Sequence, residues 1–154
     1  MKTILMVCTG NLCRSPMAEG LLQRKLAREG HSTAFRAASA GVWASDGSPP
    51  STHAAQAVAE LGVDISRHAS RNLTEAIVAE AALILTMTHS HAEAIRLEFP
   101  SYAHKVYLLS EMSGVLYDVG DPIGQPLAEY RATAAEIERL IEQGYPRIIQ
   151  LAGA

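Results

Sequence analysis

The sequence predicts an α/β fold in three layers, a parallel sheet of four strands flanked by helices. Three observations predict it. Short apolar runs suited to strands recur along the chain, at Ile4–Val7, Ala34–Ala38, Ala82–Met87 and Lys105–Leu109. The third of these, Ala82-Leu83-Ile84-Leu85-Thr86-Met87, is apolar without alternation, as a strand covered on both faces should be. Between the runs lie segments with apolar residues at helical spacing, and strands alternating with helices imply right-handed crossovers and parallel pairing. In such sheets ligands bind beyond the C-terminal ends of the strands.

The chain of 154 residues is 48% hydrophobic and 19% charged, which predicts one domain over 1–154 with a substantial core. No segment approaches the roughly 18 uninterrupted apolar residues of a membrane span, and the N-terminus leads straight into a strand, so neither a span nor a signal peptide is expected. A net charge of −3 gives no electrostatic reason for a nucleic-acid partner. The two cysteines do not make a secreted disulfide framework, and a cytoplasmic location is expected. A monomer or weak dimer is expected.

After the first strand comes Val7-Cys8-Thr9-Gly10-Asn11-Leu12-Cys13-Arg14-Ser15-Pro16. A loop between a strand end and a helix start gathers backbone N–H groups at one spot, and the helix dipole adds partial positive charge there. Thr9, Gly10, Asn11, Leu12 and Cys13 are therefore candidates to surround an anion. Cys8 and Arg14 bracket five residues, so a curled loop can set a sulfur at the floor of the cradle and a planar fork of donors at its rim. A thiol titrating at about 8.5 in isolation can fall to roughly 3.5–7.5 in such surroundings, which yields a nucleophile at neutral pH. Arg14 can hold two phosphate oxygens at once, a geometry that lysine cannot match. Gly10 and Asn11 are residue types that tolerate the positive φ an inward-folded loop needs. Ser15 is expected to cap the following helix and to present a hydroxyl to the thiolate. Pro16 is expected at the first helical position.

The first helix is predicted from Met17 to about Glu29, with Met17, Ala18, Leu21, Leu22 and Leu26 inward and Gly30 closing it. Ala34–Ala38 is the second strand, ended by Ser39-Ala40-Gly41. Val42 to Thr52 is loop by composition and holds Trp43, which on composition could cover the edge of the core. Thr52–Leu61 reads as a helix stopped by Gly62, and Thr74 caps a short helix reaching about Ala79. Thr88 caps a helix through Glu98, which Pro100 stops. The last helix runs from Leu127 to about Gln143 and ends at Gly144. His89 and His91 stand two apart and so do not share a helix face, and no metal site is expected. His31, His53, His68 and His104 are assigned surface or loop roles.

Asp121-Pro122 supplies the second half of a possible mechanism. Phosphoryl transfer to a thiolate releases an oxygen or nitrogen leaving group that needs a proton, and the same carboxylate can then activate water. Pro122 would stiffen the loop that holds the acid. Asp118 is a rival on distance alone.

Cys-x5-Arg-Ser directly after the first strand of a chain this size resembles the low-molecular-weight protein tyrosine phosphatase family, nearly continuously from Val7 to Glu19. Asp121-Pro122 matches that family's second landmark. The resemblance implies a four-stranded parallel sheet with the phosphate-binding P-loop after strand 1. It implies Cys8 as nucleophile, Arg14 as phosphate clamp and Asp121 as general acid and then base, with a phosphocysteine intermediate. No cofactor is implied; the partners are a phosphorylated protein and inorganic phosphate as product. Trp43 would wall the mouth of the pocket, and Cys13 would be a resolving thiol for an oxidised Cys8.

Two departures bear on substrate. The family's aromatic residues after Asp-Pro are replaced by Ile123-Gly124. Met87-Thr88-His89, the Gly-containing run after Asp121-Pro122, and Tyr130 are similar to the bacterial branch that includes protein arginine phosphatases, yet that branch's threonine before the second loop cysteine is Leu12 here. A branched aliphatic would pack against a ring, so phosphotyrosine is the first expectation and phosphoarginine the alternative. Arsenate reductases of similar fold are a more remote reading, since the thioredoxin-coupled ones need a further cysteine pair. A non-catalytic phosphate-binding module would have no use for both a thiolate and an acid.

Overall fold

The computed structural model describes residues 1–154. Four strands form one parallel sheet in the order β2-β1-β3-β4. These are β1 (Lys2–Cys8), β2 (Phe35–Gly41), β3 (Ala81–Thr86) and β4 (Val106–Leu108). The central β1 pairs in register with β2 from Lys2↔Phe35 to Cys8↔Gly41, and with β3 from Ile4↔Leu83 to Val7↔Thr86. The predicted α/β sandwich is thus present with all four strands. No helix is long and apolar enough to cross a membrane.

Alternation along β1 assigns the two faces. Ile4, Met6 and Cys8 join one core cluster with residues of α1 (Arg14–Arg28), α2 (Thr52–Ala59) and α5 (Leu127–Gly153). Leu5 and Val7 join another with residues of α3 (Glu75–Glu80) and α4 (His89–Glu98). Because the sheet period is two, one strand feeds both cores. All four central side chains Ile4, Leu5, Met6 and Val7 are fully buried, the pattern that the apolar run foretold.

Capping at α2, α3 and α4 is by side chains. Ser51 accepts from the Ala54 N–H, Thr74 from the Ile77 N–H and Thr88 from the His91 N–H. The strand β4 is shorter than predicted, because Pro100–Lys105 and Ser110–Ser113 wind into 3-10 turns on either side of it.

Two expectations about α1 need correction. The helix starts at Arg14, with Cys13 at the N-cap position and no side-chain cap. Ser15 is therefore inside the first turn and caps nothing; its hydroxyl is drawn to the Cys8 sulfur instead. Pro16 stands at the third helical position, where its missing N–H still falls among the first-turn groups that lack a helical partner.

The last helix is also longer than predicted. It passes through Gly144 and Pro146 to Gly153. Gly144 does not stop it: a Cβ there would lie 2.5 Å from Met112 Cβ, so the glycine permits close approach of the helix to the 110–113 turn. Tyr145, Ile148 and Ala152 are buried beyond it and outweigh the proline's lost hydrogen bond. The hydroxyl of Tyr145 lies 2.6 Å from His31 Nδ1 and the two rings stack, so His31 is a packing residue of this extension. Lys2 Nζ donates to the Gly153 carbonyl at 2.9 Å.

Replacing Gly144 by alanine is expected to lower stability by about 1–3 kcal/mol, the usual range for overpacking. Urea denaturation of the variant checks this, and an unchanged midpoint would contradict the close packing against Met112.

Candidate active site

The loop from Cys8 to Arg14 leaves the C-terminal end of β1 at the centre of the sheet, where neighbouring strands and loops can hold it from several sides. Val42 and Trp43 donate backbone N–H groups to the carbonyls of Cys8 and Thr9, each at 3.0 Å. Ser51 does the same for the Leu12 carbonyl at 2.9 Å. Gly41 lies so close that a Cβ there would meet the Thr9 carbonyl oxygen at 2.4 Å, which only glycine avoids.

The inward curl of the loop turns on Asn11. Its φ of 58° makes it the only non-glycine residue with positive φ, and it is fully buried. That conformation costs roughly 1–2 kcal/mol for an L-residue, least for Asn. Hydrogen bonds hold it there. The side-chain amide donates to Ser15 Oγ at 2.8 Å and to Ser39 Oγ at 3.0 Å, and its oxygen accepts from the Arg71 N–H at 3.0 Å. The Asn11 carbonyl bonds His68 Nε2 at 2.8 Å. The Ser39 hydroxyl in turn donates to Glu19 Oε1 at 2.6 Å. With Ser15 Oγ accepting from Asn11, its hydroxyl hydrogen is free to point at the Cys8 sulfur 2.9 Å away.

Arg14 is buried and oriented through its terminal nitrogens. Its guanidinium donates to the Val119 carbonyl at 2.8 Å and reaches Thr9 Oγ1 at 3.5 Å. An ion pair at 3.3 Å joins it to Asp121, whose side chain is 37% exposed. The remaining nitrogen, Nε, is buried without a partner, alone among the buried side-chain polar atoms. An unpartnered buried cationic N–H is costly, and an acceptor of negative charge is the partner that would satisfy it best. Beside it is a cavity of about 40 Å³ lined by Cys8, Gly10, Leu12, Cys13, Arg14, Asp121 and Ile123.

The chain as a whole is similar to known proteins. The family described as low molecular weight phosphotyrosine protein phosphatase matches residues 3–149. The chain belongs to this family. It is 42% identical to a protein-arginine-phosphatase of Bacillus subtilis (strain 168), over 91% of this chain and 92% of that one. It is 36% identical to a probable low molecular weight protein-tyrosine-phosphatase of Ralstonia nicotianae, over 96% of both. Among solved structures, that of a low molecular weight protein tyrosine phosphatase from T. tengcongensis superimposes with a TM-score of 0.90 at 40% identity, covering 96% of this chain and 99% of that one. The protein is a phosphatase of the cysteine-dependent kind.

Around the pocket of this phosphatase the remaining predicted residues sort clearly. Asp118, the rival acid, accepts at 2.8 Å from both the backbone N–H and the ring of His89 at the start of α4, outside the cavity lining. Trp43 does not cover the core; it is 85% exposed and absent from the cavity wall, with only its backbone engaged by the loop. Cys13 is buried within 3.7 Å of the Tyr130 hydroxyl, and burial pushes its thiol up from the ordinary value. Both cysteines are free. A larger groove of about 490 Å³ between α1 and the 62–68 connection holds neither Cys8 nor Arg14.

Two histidines have partners near the loop that the sequence reading did not name. His68 is a partner of the Asn11 carbonyl, although nothing in its surroundings in the chain signals this. His91 is buried, with Nε2 2.8 Å from Thr9 Oγ1 and Nδ1 accepting from the Thr88 N–H at 3.2 Å. One signal was available: Thr88-x-x-His91 has capping-box spacing, with histidine where Glu or Gln is usual.

Burial, with the nearby Arg14 charge second, lowers His91 from 6.5 to about 4. Between those values the unfolded chain binds the proton and the folded one does not, so stability rises with pH across that window. It is complete above about 6.5 and lost as pH falls toward 4, by on the order of 2–3 kcal/mol. Denaturation midpoints at pH 7 and pH 4.5 should therefore differ more in wild type than in His91→Gln; equal differences would contradict it. Asn11→Ala should cost about 2–4 kcal/mol and Asn11→Gly about 1 kcal/mol less, since glycine accepts positive φ. Equal losses in the two variants would place the strain elsewhere.

Proposed function

We propose that the protein hydrolyses phosphotyrosine in phosphorylated proteins through a phosphocysteine formed on Cys8. The observation that carries this reading is the unpartnered Nε of buried Arg14 beside a small cavity that also holds Cys8 and Asp121. A phosphate dianion entering there accepts a hydrogen bond from the Nε–H and from the free edge of the guanidinium, and competes with the Asp121 carboxylate for the same cation. The inward loop from Thr9 to Cys13 surrounds the remaining oxygens.

In the first step the Cys8 thiolate, stabilised by the Ser15 hydroxyl, attacks phosphorus. An S–P bond forms as the ester P–O bond breaks. Asp121, displaced from Arg14 by the incoming dianion, takes a proton from water and gives it to the leaving phenolate oxygen. In the second step a water attacks the phosphocysteine and passes its proton to the Asp121 carboxylate. The S–P bond breaks, the thiolate is restored and inorganic phosphate leaves. Arg14 keeps two donors on the phosphoryl oxygens in both steps, where charge spreads over the equatorial positions.

Substrate choice falls to the lining above this chemistry. Leu12 and Ile123 bring branched aliphatic surface to the pocket, and both suit the face of an aryl ring. Ile123 is 60% exposed, so a bound ring would cover apolar area that now faces water. Trp43, 85% exposed and joined to the loop through its backbone N–H, would serve as an outer wall for the polypeptide around the phosphorylated residue. A second reading, hydrolysis of phosphoarginine by the same steps, is favoured by the 42% identity to a protein-arginine-phosphatase. The arsenate reductase reading remains the weaker one, because the chain has two cysteines and no further pair.

Cys8→Ser should abolish turnover of a phosphotyrosine peptide, and Asp121→Asn should lower kcat by about 10²–10⁴, the usual range for a general acid. Wild type should turn over phosphotyrosine peptides faster than phosphoarginine peptides, and Leu12→Thr should shift the ratio toward phosphoarginine. A wild-type preference for phosphoarginine would reverse the assignment.

A further inference from the structure

One buried titratable group in contact with the phosphate loop has no part in the steps above. His91 belongs to α4, on the opposite face of the sheet from α1, yet its ring reaches the first residue of the loop after Cys8. Its hydrogen bonds specify its tautomer. Nδ1 accepts from the Thr88 N–H, so the single proton of the neutral ring is on Nε2 and is donated to Thr9 Oγ1. Thr9 Oγ1 also faces Arg14 Nη2 at 3.5 Å, and so receives two N–H donors on its two lone pairs. Its own hydrogen is thereby turned away from both nitrogens, and Thr9 is exposed.

We propose that His91 is a positioning residue of the phosphate site: by donating to Thr9 it fixes that hydroxyl as a brace for the Arg14 guanidinium. The proposal rests on the reading of Arg14 as phosphate clamp. The guanidinium is held at Nη1 by the Val119 carbonyl and at Nη2 by Asp121, which the substrate must displace. Once Asp121 leaves, Thr9 is the remaining protein partner at Nη2, and His91 decides where its oxygen points. Without the ring the Thr9 side chain regains rotamer freedom, and binding a phosphate must restore its order.

The histidine suits the position because it acts in two directions. Facing Thr88 it must accept, to complete the capping box; facing Thr9 it must donate. A neutral imidazole does both from one rigid plane. Burial and the Arg14 charge keep the ring neutral through the physiological range, so the donor does not become a second cation competing for the anion. Glutamine, which has an acceptor and a donor on one amide and is usual at this helix position, is the conservative replacement.

The experiment compares His91→Ala and His91→Gln in the wild-type and Thr9→Val backgrounds, reading the inhibition constant of inorganic phosphate together with kcat and KM for p-nitrophenyl phosphate. His91→Ala is expected to weaken phosphate inhibition about tenfold, the effect of one lost hydrogen bond in a charged network. His91→Gln should recover most of that affinity, and in the Thr9→Val background His91→Ala should have no further effect. Phosphate affinity unchanged by His91→Ala, or an equal loss with and without the Thr9 hydroxyl, would overturn the proposal. Should the alanine variant fail to fold, the imidazole nitrogen NMR spectrum of wild type still decides: the Nε2–H tautomer is required, and Nδ1–H overturns it. Arg14→Lys distinguishes the two levels. If it leaves phosphate inhibition intact, the clamp reading itself falls; if it abolishes inhibition while His91→Ala does not, only the role of His91 falls.

Discussion

A peptide loop that turns its amides inward around an anion must somewhere adopt a backbone conformation that L-residues avoid, and it must do so where water cannot solvate the result. In this protein that constraint is met at Asn11. The side chain's donors and acceptor are all engaged, and through Ser15 they are continuous with the Cys8 sulfur. The same bonds that hold the backbone at positive φ thus orient the hydroxyl beside the Cys8 sulfur. Geometry and reactivity share one network, and neither can be altered alone.

The rest of the molecule supports that loop by surrounding it. The sheet places β1 in the interior, so both neighbours supply backbone donors where the chain leaves the strand. From the β2 side come Val42 and Trp43, and from the β3 side Met87 donates to the Val7 carbonyl at 3.0 Å. Met87 then accepts from the Val119 N–H at 2.9 Å, and the Val119 carbonyl in turn takes the Arg14 guanidinium. A backbone relay therefore runs from the strand end to the segment before Asp121 and back to the arginine. The apolar side chains of α1, α2 and α5 fill the space beneath and leave the loop no room to relax.

Much of this was legible in the sequence because it depends on local pattern. The apolar runs, the Thr74 and Thr88 caps and the Cys-x5-Arg-Ser spacing each express a rule that operates within a few residues. What was misread depends on contacts across the chain. Gly144 resembles a helix stop, but its lack of a side chain accommodates Met112, far away in sequence. Ser15 resembles an N-cap, but the sulfur seven residues earlier has the stronger claim on its hydroxyl. His68 and His91 carry no local sign of their partners, Asn11 and Thr9, which lie 57 and 82 positions away. Burial of a polar residue is decided by the fold, and the sequence shows it only where a second rule, such as the capping-box spacing at His91, happens to coincide.

The ion pair between Arg14 and Asp121 has a consequence for turnover. In the proposed cycle the carboxylate gives up its cation when a phosphorylated side chain arrives and recovers it when the site empties. At the end of the second step Asp121 has regained its proton, and loss of that proton to water restores its affinity for the guanidinium. The returning carboxylate then occupies the ground that inorganic phosphate is leaving. The pair is thus an internal competitor for the product, easing its departure from a site whose buried arginine would otherwise retain it.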